Sequence, residues 1–278
     1  MPGAFTVFQE LLPVPEALGR VLPPARPVSG VGAINRFETT ATSRYDSLQL
    51  QVRGRFRQSL QYQAAYTLSK TLDDVSDVFD LAGAPALPQN SLTFSGERGP
   101  ASFDARHRFA YEFIYDVPQP ISRSRALGFL LNGLQLSGTG RFSTGQPFTV
   151  NSIFDVNLDG NLTDRLNTTN GLVVTGDRGQ PLRLAVDPVT LLAPVGQDGA
   201  VGRNTFRAGI IYVMDVAISK RINLAKGKDL LFRTEIFNIT NRTNFGIPNR
   251  FLEAPGFGQS TSTVTPGRRL QFSLKFSF

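Results

Sequence analysis

Residues 47–69 read SLQLQVRGRFRQSLQYQAAYTLS. Leu48, Leu50, Val52 and Phe56 fall on one side of an extended chain, with Gly54 between them. Ser47, Gln49, Gln51, Arg53 and Arg55 fall on the other. The alternation then restarts: Leu60, Tyr62, Ala64, Tyr66 and Leu68 oppose Ser59, Gln61, Gln63, Ala65, Thr67 and Ser69. Successive side chains of a strand point to opposite faces, so a period of two marks a strand with one apolar and one polar face. The stretch is a hairpin of two long strands, turning at Arg57–Gln58.

The same rhythm recurs toward both ends. Phe109, Tyr111, Phe113 and Tyr115 alternate with Arg108, Ala110, Glu112 and Ile114. Leu134, Leu136 and Phe142 oppose Gln135, Ser137, Thr139 and Arg141. Met214, Val216 and Ile218 oppose Asp215, Ala217 and Ser219. Leu230, Phe232 and Ile236 oppose Arg233 and Glu235, although Leu231 and Phe237 blur that segment. At the end, Leu270, Phe272, Leu274, Phe276 and Phe278 alternate with Gln271, Ser273, Lys275 and Ser277.

Seven strands are therefore expected, at about 45–56, 59–70, 106–115, 131–143, 210–221, 229–238 and 268–278. Most are longer than the roughly 5–6 residues of soluble strands and match the roughly 9–11 of tilted membrane strands. Their connections span 2, 35, 15, 66, 7 and 29 residues, short and long in strict alternation. Membrane barrels join strands by short periplasmic turns and longer extracellular loops. The pattern predicts an all-β fold: an antiparallel transmembrane β-barrel segment, an open arc of a larger barrel, with long extracellular loops. Residues 1–44 are expected to be irregular, with an extended piece near 31–40, and to form part of an extracellular loop of the parent barrel. Residues 45–278 form the barrel segment. No helix is expected.

Composition agrees. Of 278 residues, 41% are hydrophobic and only 18% charged, and the mean hydropathy is −0.10. So apolar side chains must be interleaved with polar ones. No apolar stretch reaches the roughly 18 residues of a membrane-crossing helix, which leaves strand crossing open. Met1–Leu12 lacks the basic start and apolar run of a secretory signal. The net charge is +7, but the basic residues are scattered singly, without the patch expected of a nucleic-acid interface.

Little in the chain carries catalysis. There is no Cys, and His107 is the only histidine, so thiolate chemistry and a multi-histidine metal centre are excluded. No nucleophile-elbow, phosphate-loop or zinc-protease motif occurs. The chain is expected not to be an enzyme and to have no organic cofactor. The glycines of Gly138-Thr-Gly140 lie inside a strand and permit curvature or close packing. The run Asp155-Val-Asn157-Leu-Asp159-Gly160-Asn161 has the D-x-N-x-D-G spacing that opens a Ca²⁺ loop. Position 12 of such a loop would be Leu166 in place of Glu, with Asp164 the nearby substitute. Two readings stand: a Ca²⁺ site of Asp155, Asn157, Asp159 and Asp164, or an Asp/Asn/Gly-rich turn in an extracellular loop.

Several stretches taken in order resemble one family: RYDSLQLQVRGRF (44–56), YQAAYTLSKTLDD (62–74), GERGPASFDARHRFAYEFIYDVP (96–118), DVNLDGNLTDR (155–165), GRNTFRAGIIYVMDVAISKRINL (202–224), LFRTEIFNITNRTNFGIPN (231–249) and RRLQFSLKFSF (268–278). They look like the C-terminal barrel of TonB-dependent outer-membrane receptors of the Oar-like type. The resemblance implies a bacterial outer-membrane location and a 22-stranded barrel plugged by an N-terminal domain. It implies the lipid bilayer as surroundings, and coupling to TonB only through that missing N-terminal part. Phe272, Leu274, Phe276 and Phe278 then resemble the terminal signal read by the barrel-assembly machinery. Seven strands cannot close so wide a cylinder. The chain is therefore expected to be a fragment without plug or signal peptide. The rival expectations are another porin-like outer-membrane barrel or a soluble all-β binding module. No residue identifies a substrate.

Overall fold

The computed structural model describes residues 40–77, 87–90, 93–118, 125–224 and 227–278. The expectations for residues 31–39, and for most of the N-terminal segment, lie outside these residues. Seven long strands dominate: β1 (Ser43–Phe56), β2 (Leu60–Asp73), β3 (His107–Asp116), β4 (Leu134–Ser143), β5 (Ile211–Asn223), β6 (Asp229–Phe237) and β7 (Arg269–Ser277). They lie side by side in chain order, each antiparallel to the next. The two-residue strand Gly99–Pro100 adds to the end of β2.

The register decides which face each residue occupies. Leu50 stands opposite Tyr66, Tyr66 opposite Phe109, and Phe109 opposite Phe142. Phe142 stands opposite Tyr212. Farther along, Val216 pairs with Ile236 and Ile236 with Leu270. Directly opposed residues share a face, so the apolar positions of all seven strands fall on one side. A slip of one residue in any pair would invert every strand beyond it.

Charge is absent from the middle of that face. Arg44, Asp46 and Lys70 lie at one rim, and Lys220 lies toward the other. Lys220 donates from Nζ to the carbonyls of Phe129 (2.5 Å), Leu130 (3.2 Å) and Asn132. Among the described residues nothing covers the face: Leu48 is 54% exposed, Leu50 55% and Leu274 67%. A soluble sandwich would bury these residues under a second sheet. On the other face, Gln49, Arg53, Gln61, Glu112, Thr139, Asp215 and Lys275 line up by the same register. Leu231 and Phe237, which blurred the alternation, stand opposite Lys275 and Arg269 on this polar face. The Arg269 guanidinium lies over the Phe237 ring at 5.6 Å.

The glycines of the apolar face make room for aromatic rings. A Cβ on Gly138 would lie 2.7 Å from the Phe113 ring, and one on Gly54 2.6 Å from the Tyr62 hydroxyl. A Cβ on Gly140 would overlap the Tyr111 ring. Large rings thus lie across bare backbone on the neighbouring strand, the close packing expected of Gly138 and Gly140.

Three expectations need correction. The first turn has three residues, Arg57 to Ser59, because Phe56 pairs with Leu60 and Arg57 takes a left-handed φ of 50°. The fourth strand begins at Leu134 instead of 131, because Arg125–Leu131 forms a short helix, α1. It reads RALGFLL, rich in good helix formers, and ends before Gly133 at φ 69°. Where no helix was expected, this one crosses a short-turn connection. The long loops also contain short strands. They hold the strand pairs Pro147–Phe148 with Phe206–Arg207 and Leu172–Val174 with Leu182–Leu184.

The strand ends joined by the short connections (57–59, 117–133 and 224–228) lie at one rim and those joined by the long ones (74–106, 144–210 and 238–268) at the other. The sheet does not close: β1 and β7 lie at its two ends, with no strand beyond either among the described residues. Replacing Gly140 with Leu should lower stability by about 1–3 kcal/mol, the usual cost of overpacking. Urea unfolding followed by tyrosine fluorescence measures it. Pairing the change with Tyr111→Ala should recover much of the loss, since the clash is with that ring.

Candidate functional site

Among the described residues, nearly every buried apolar side chain lies in the long loops; of the seven strands only Ala217 contributes one. Phe148, Val150, Val156, Leu166, Leu182, Leu191, Leu192, Leu252 and Phe257 pack into one cluster. It joins the connection 144–210 to the connection 238–268. These loops therefore form a cap with its own core at one rim of the sheet.

Arginines fasten the cap to the rim. Arg203 pairs with Asp73 at the end of β2 and donates from Nε to the Glu97 carbonyl at 2.8 Å. Arg207 reaches Asp104 at 2.5 Å, and the same carboxylate accepts the Thr71 N–H at 2.7 Å. Arg165 meets Glu97 at 3.0 Å and Gln89 Oε1 at 2.9 Å. Planar guanidinium donors suit such buried pairs, because several hydrogen bonds satisfy one cation.

Asparagines hold the return loop after β6. Asn244 accepts the Tyr212 N–H and donates to its carbonyl, both at 2.9 Å, so its amide continues the ladder along β5 past the end of β6. Asn238, at φ 51°, donates its N–H to the carboxylate of Asp215 and its side-chain amide to the carbonyls of Arg242 and Pro266. Sequence reasoning gave these residues no role; the signal was present in the run FNITNRTN, whose asparagines tolerate left-handed backbone.

The Asp155 run lies inside the cap. Asp155 accepts the N–H groups of Asp159 (3.1 Å) and Gly160 (2.9 Å), and Asn157 Oδ1 accepts the Asp159 N–H at 3.1 Å. Asp159 accepts the Asn161 N–H at 2.8 Å. Leu158 at φ 62° and Gly160 at φ 96° bend the chain back on itself. Asp164 is brought to the turn through Oδ2, which accepts the Val156 N–H at 2.9 Å. Its side chain is fully buried, and Oδ1 has no hydrogen-bond partner. Burial, foremost, pushes the Asp164 carboxyl up to about 8; the backbone N–H groups of Val156 and Asn157 oppose this, and the charges of Asp155 and Asp159 push it further. Burial also raises Asp155. Among the described residues no group of three or more His, Cys, Asp or Glu side chains is placed to hold a metal ion.

The terminal residues Phe272, Leu274, Phe276 and Phe278 are exposed, the first three along the apolar face of β7. His107 begins β3 at the cap rim, where Nδ1 lies 2.8 Å from the Tyr66 hydroxyl. On the polar face, a trough of about 720 Å³ touches residues of every strand from β1 to β6, including Arg53, Gln63, Glu112, Thr139, Asp215 and Glu235. One trough shared by six successive strands means that the sheet curves with its polar face inward.

A charge-free apolar outer band, a polar concave face and long loops gathered at one rim define a β-barrel of the outer-membrane class. The chain belongs to the family of outer membrane beta barrel domains, whose model matches residues 13–271. No curated protein and no solved structure matches it. The protein is located in the bacterial outer membrane.

Breaking the buried Arg165–Glu97 pair tests the cap. Arg165→Met should leave Glu97 uncompensated and cost about 3–5 kcal/mol. Limited proteolysis should then cut within 144–210 much faster than in the parent chain, while the strands stay protected.

Proposed function

We propose that the chain is the C-terminal barrel portion of a TonB-dependent outer-membrane transporter or receptor of the Oar-like type. One observation carries the reading: seven strands form an open arc whose two ends, β1 and β7, remain without a strand partner among the described residues. Such an arc needs further strands, because unpaired backbone is costly in lipid. A wide barrel supplies them and leaves a lumen large enough for a plug. The polar concave face, with Arg53, Glu112, Asp215, Arg233 and Glu235, suits contact with such a plug or with water.

In this reading the apolar face meets the lipid bilayer. The barrel-assembly machinery recognises Phe272, Leu274, Phe276 and Phe278. TonB acts only through an N-terminal part joined to the barrel, and the chain performs no catalysis and binds no nucleic acid. The cap, built at the outer rim, is the surface that a substrate meets first.

Two measurements test the proposal. The chain expressed alone should show no heat-modifiable migration on a gel, since that shift reports a closed barrel. A clear shift together with protease resistance would instead favour a small self-contained porin-like barrel. The reading frame upstream of Met1 should encode a plug domain continuous with the barrel. An unrelated upstream frame in the source genome would contradict the TonB-dependent reading.

A further inference from the structure

The Asp155–Asp164 turn holds a feature that turn formation leaves unexplained. Hydrogen bonds to backbone N–H groups account for Asp155, Asn157 and Asp159 as an ordinary Asx-rich turn. They do not account for Asp164. Its side chain is fully buried, one oxygen is held by Val156, and the other has no partner. Buried carboxylate oxygens are ordinarily satisfied, because a charge removed from water is costly without a partner. The adjacent cation does not serve: Arg165 extends to Glu97 and Gln89.

We propose that this turn binds one Ca²⁺ ion, held by the carboxylates of Asp155, Asp159 and Asp164 and by the amide oxygen of Asn157. Orientation supports each part. Asn157 donates from Nδ2 to the Gln89 carbonyl (2.9 Å) and to Asp198 (2.8 Å), which turns its Oδ1 back into the loop. Gly160, at φ 96°, permits the reversal between the two halves of the site. Asp164 accepts the N–H of Val156, the residue after Asp155, which sets its carboxylate beside the start of the turn. Binding requires the carboxylates to rotate out of the hydrogen-bonded arrangement, in which no three of them are placed to hold an ion. An all-oxygen set with three carboxylates suits a hard cation. Ca²⁺ fits better than Mg²⁺, which keeps its waters and is usually held by one or two carboxylates.

The site differs from a twelve-residue helix–loop–helix Ca²⁺ loop. Its twelfth position is Leu166, fully buried in the cap core, so no bidentate glutamate is available. Asp164, two residues earlier, takes that role from the buried side. Affinity should fall near that of extracellular Ca²⁺ modules, with a dissociation constant of roughly 0.1–1 mM. The ion would lie where the turn meets the first long loop: Thr163 donates to the Pro88 carbonyl at 2.7 Å, and Asn157 to that of Gln89. Occupancy would therefore staple the connection 144–210 to 74–106. This goes beyond the transporter reading and does not depend on it, because the cap exists in any barrel that carries these loops.

The test is equilibrium dialysis of the purified full chain with radioactive Ca²⁺, with equimolar Mg²⁺ as competitor. The expected result is one ion per chain, not displaced by the Mg²⁺, and at least a tenfold weaker association for Asp164→Asn. That variant keeps the shape of the buried side chain while removing its charge. Asp159→Asn, at a partly exposed position, should weaken binding likewise and guards against misfolding of the buried variant. Ca²⁺ should also slow proteolysis within 144–210 in the parent chain and not in the variants. No binding by the parent chain at roughly tenfold above that dissociation-constant range would overturn the proposal, as would unchanged binding by Asp159→Asn.

Discussion

A strand that crosses a membrane can send its backbone hydrogen bonds only to the next strand, since lipid offers no alternative partner. Everything else in this protein follows from meeting that requirement while keeping one face apolar. Both demands depend on register. The pairs Leu50–Tyr66–Phe109–Phe142–Tyr212 and Val216–Ile236–Leu270 run across the sheet without a slip. They therefore gather the apolar residues on one face and the arginines, glutamines and acids on the other. The glycines at 54, 138 and 140 belong to the same scheme, because they let bulky rings lie flat against the neighbouring strand.

The second consequence is where the packed core sits. A barrel wall of single-sheet thickness has no interior of its own, so the buried apolar cluster forms in the loops. The cap is tied to the wall by arginine–carboxylate pairs at Asp73, Glu97 and Asp104 and by asparagine amides at 238 and 244. These are directional bonds at a rim, where strand pairing ends and the chain must change direction. They hold the long loops in place at that rim.

The strands were legible because a period of two is a local signal: each of the seven was placed within a few residues. The expected Leu131 start of the fourth strand failed because Arg125–Leu131 is apolar enough to continue the pattern but forms a helix that ends at Gly133. The two-residue turn failed by one residue because Arg57 adopts a left-handed conformation that composition does not announce. The cap was not legible. Its core joins Phe148 to Leu252 and Phe257, residues with no shared periodicity, and its ion pairs join positions as far apart as Asp73 and Arg203. In the Asp155 run, the spacing of the oxygen-bearing side chains and the nearby Asp164 were readable locally. Only the fold shows that Asp164 is buried with a free oxygen beside the turn.

The central claim is that one face of this sheet meets lipid and the other meets water. Single cysteines placed in turn at 48 through 53 in β1, in a chain without native cysteine, test it most directly. In outer membranes, a membrane-impermeant maleimide should label positions 49, 51 and 53, and a lipid-dissolved quencher should reach a probe at 48, 50 and 52. Labelling that is uniform along the strand, or alternates in the opposite phase, would contradict the account.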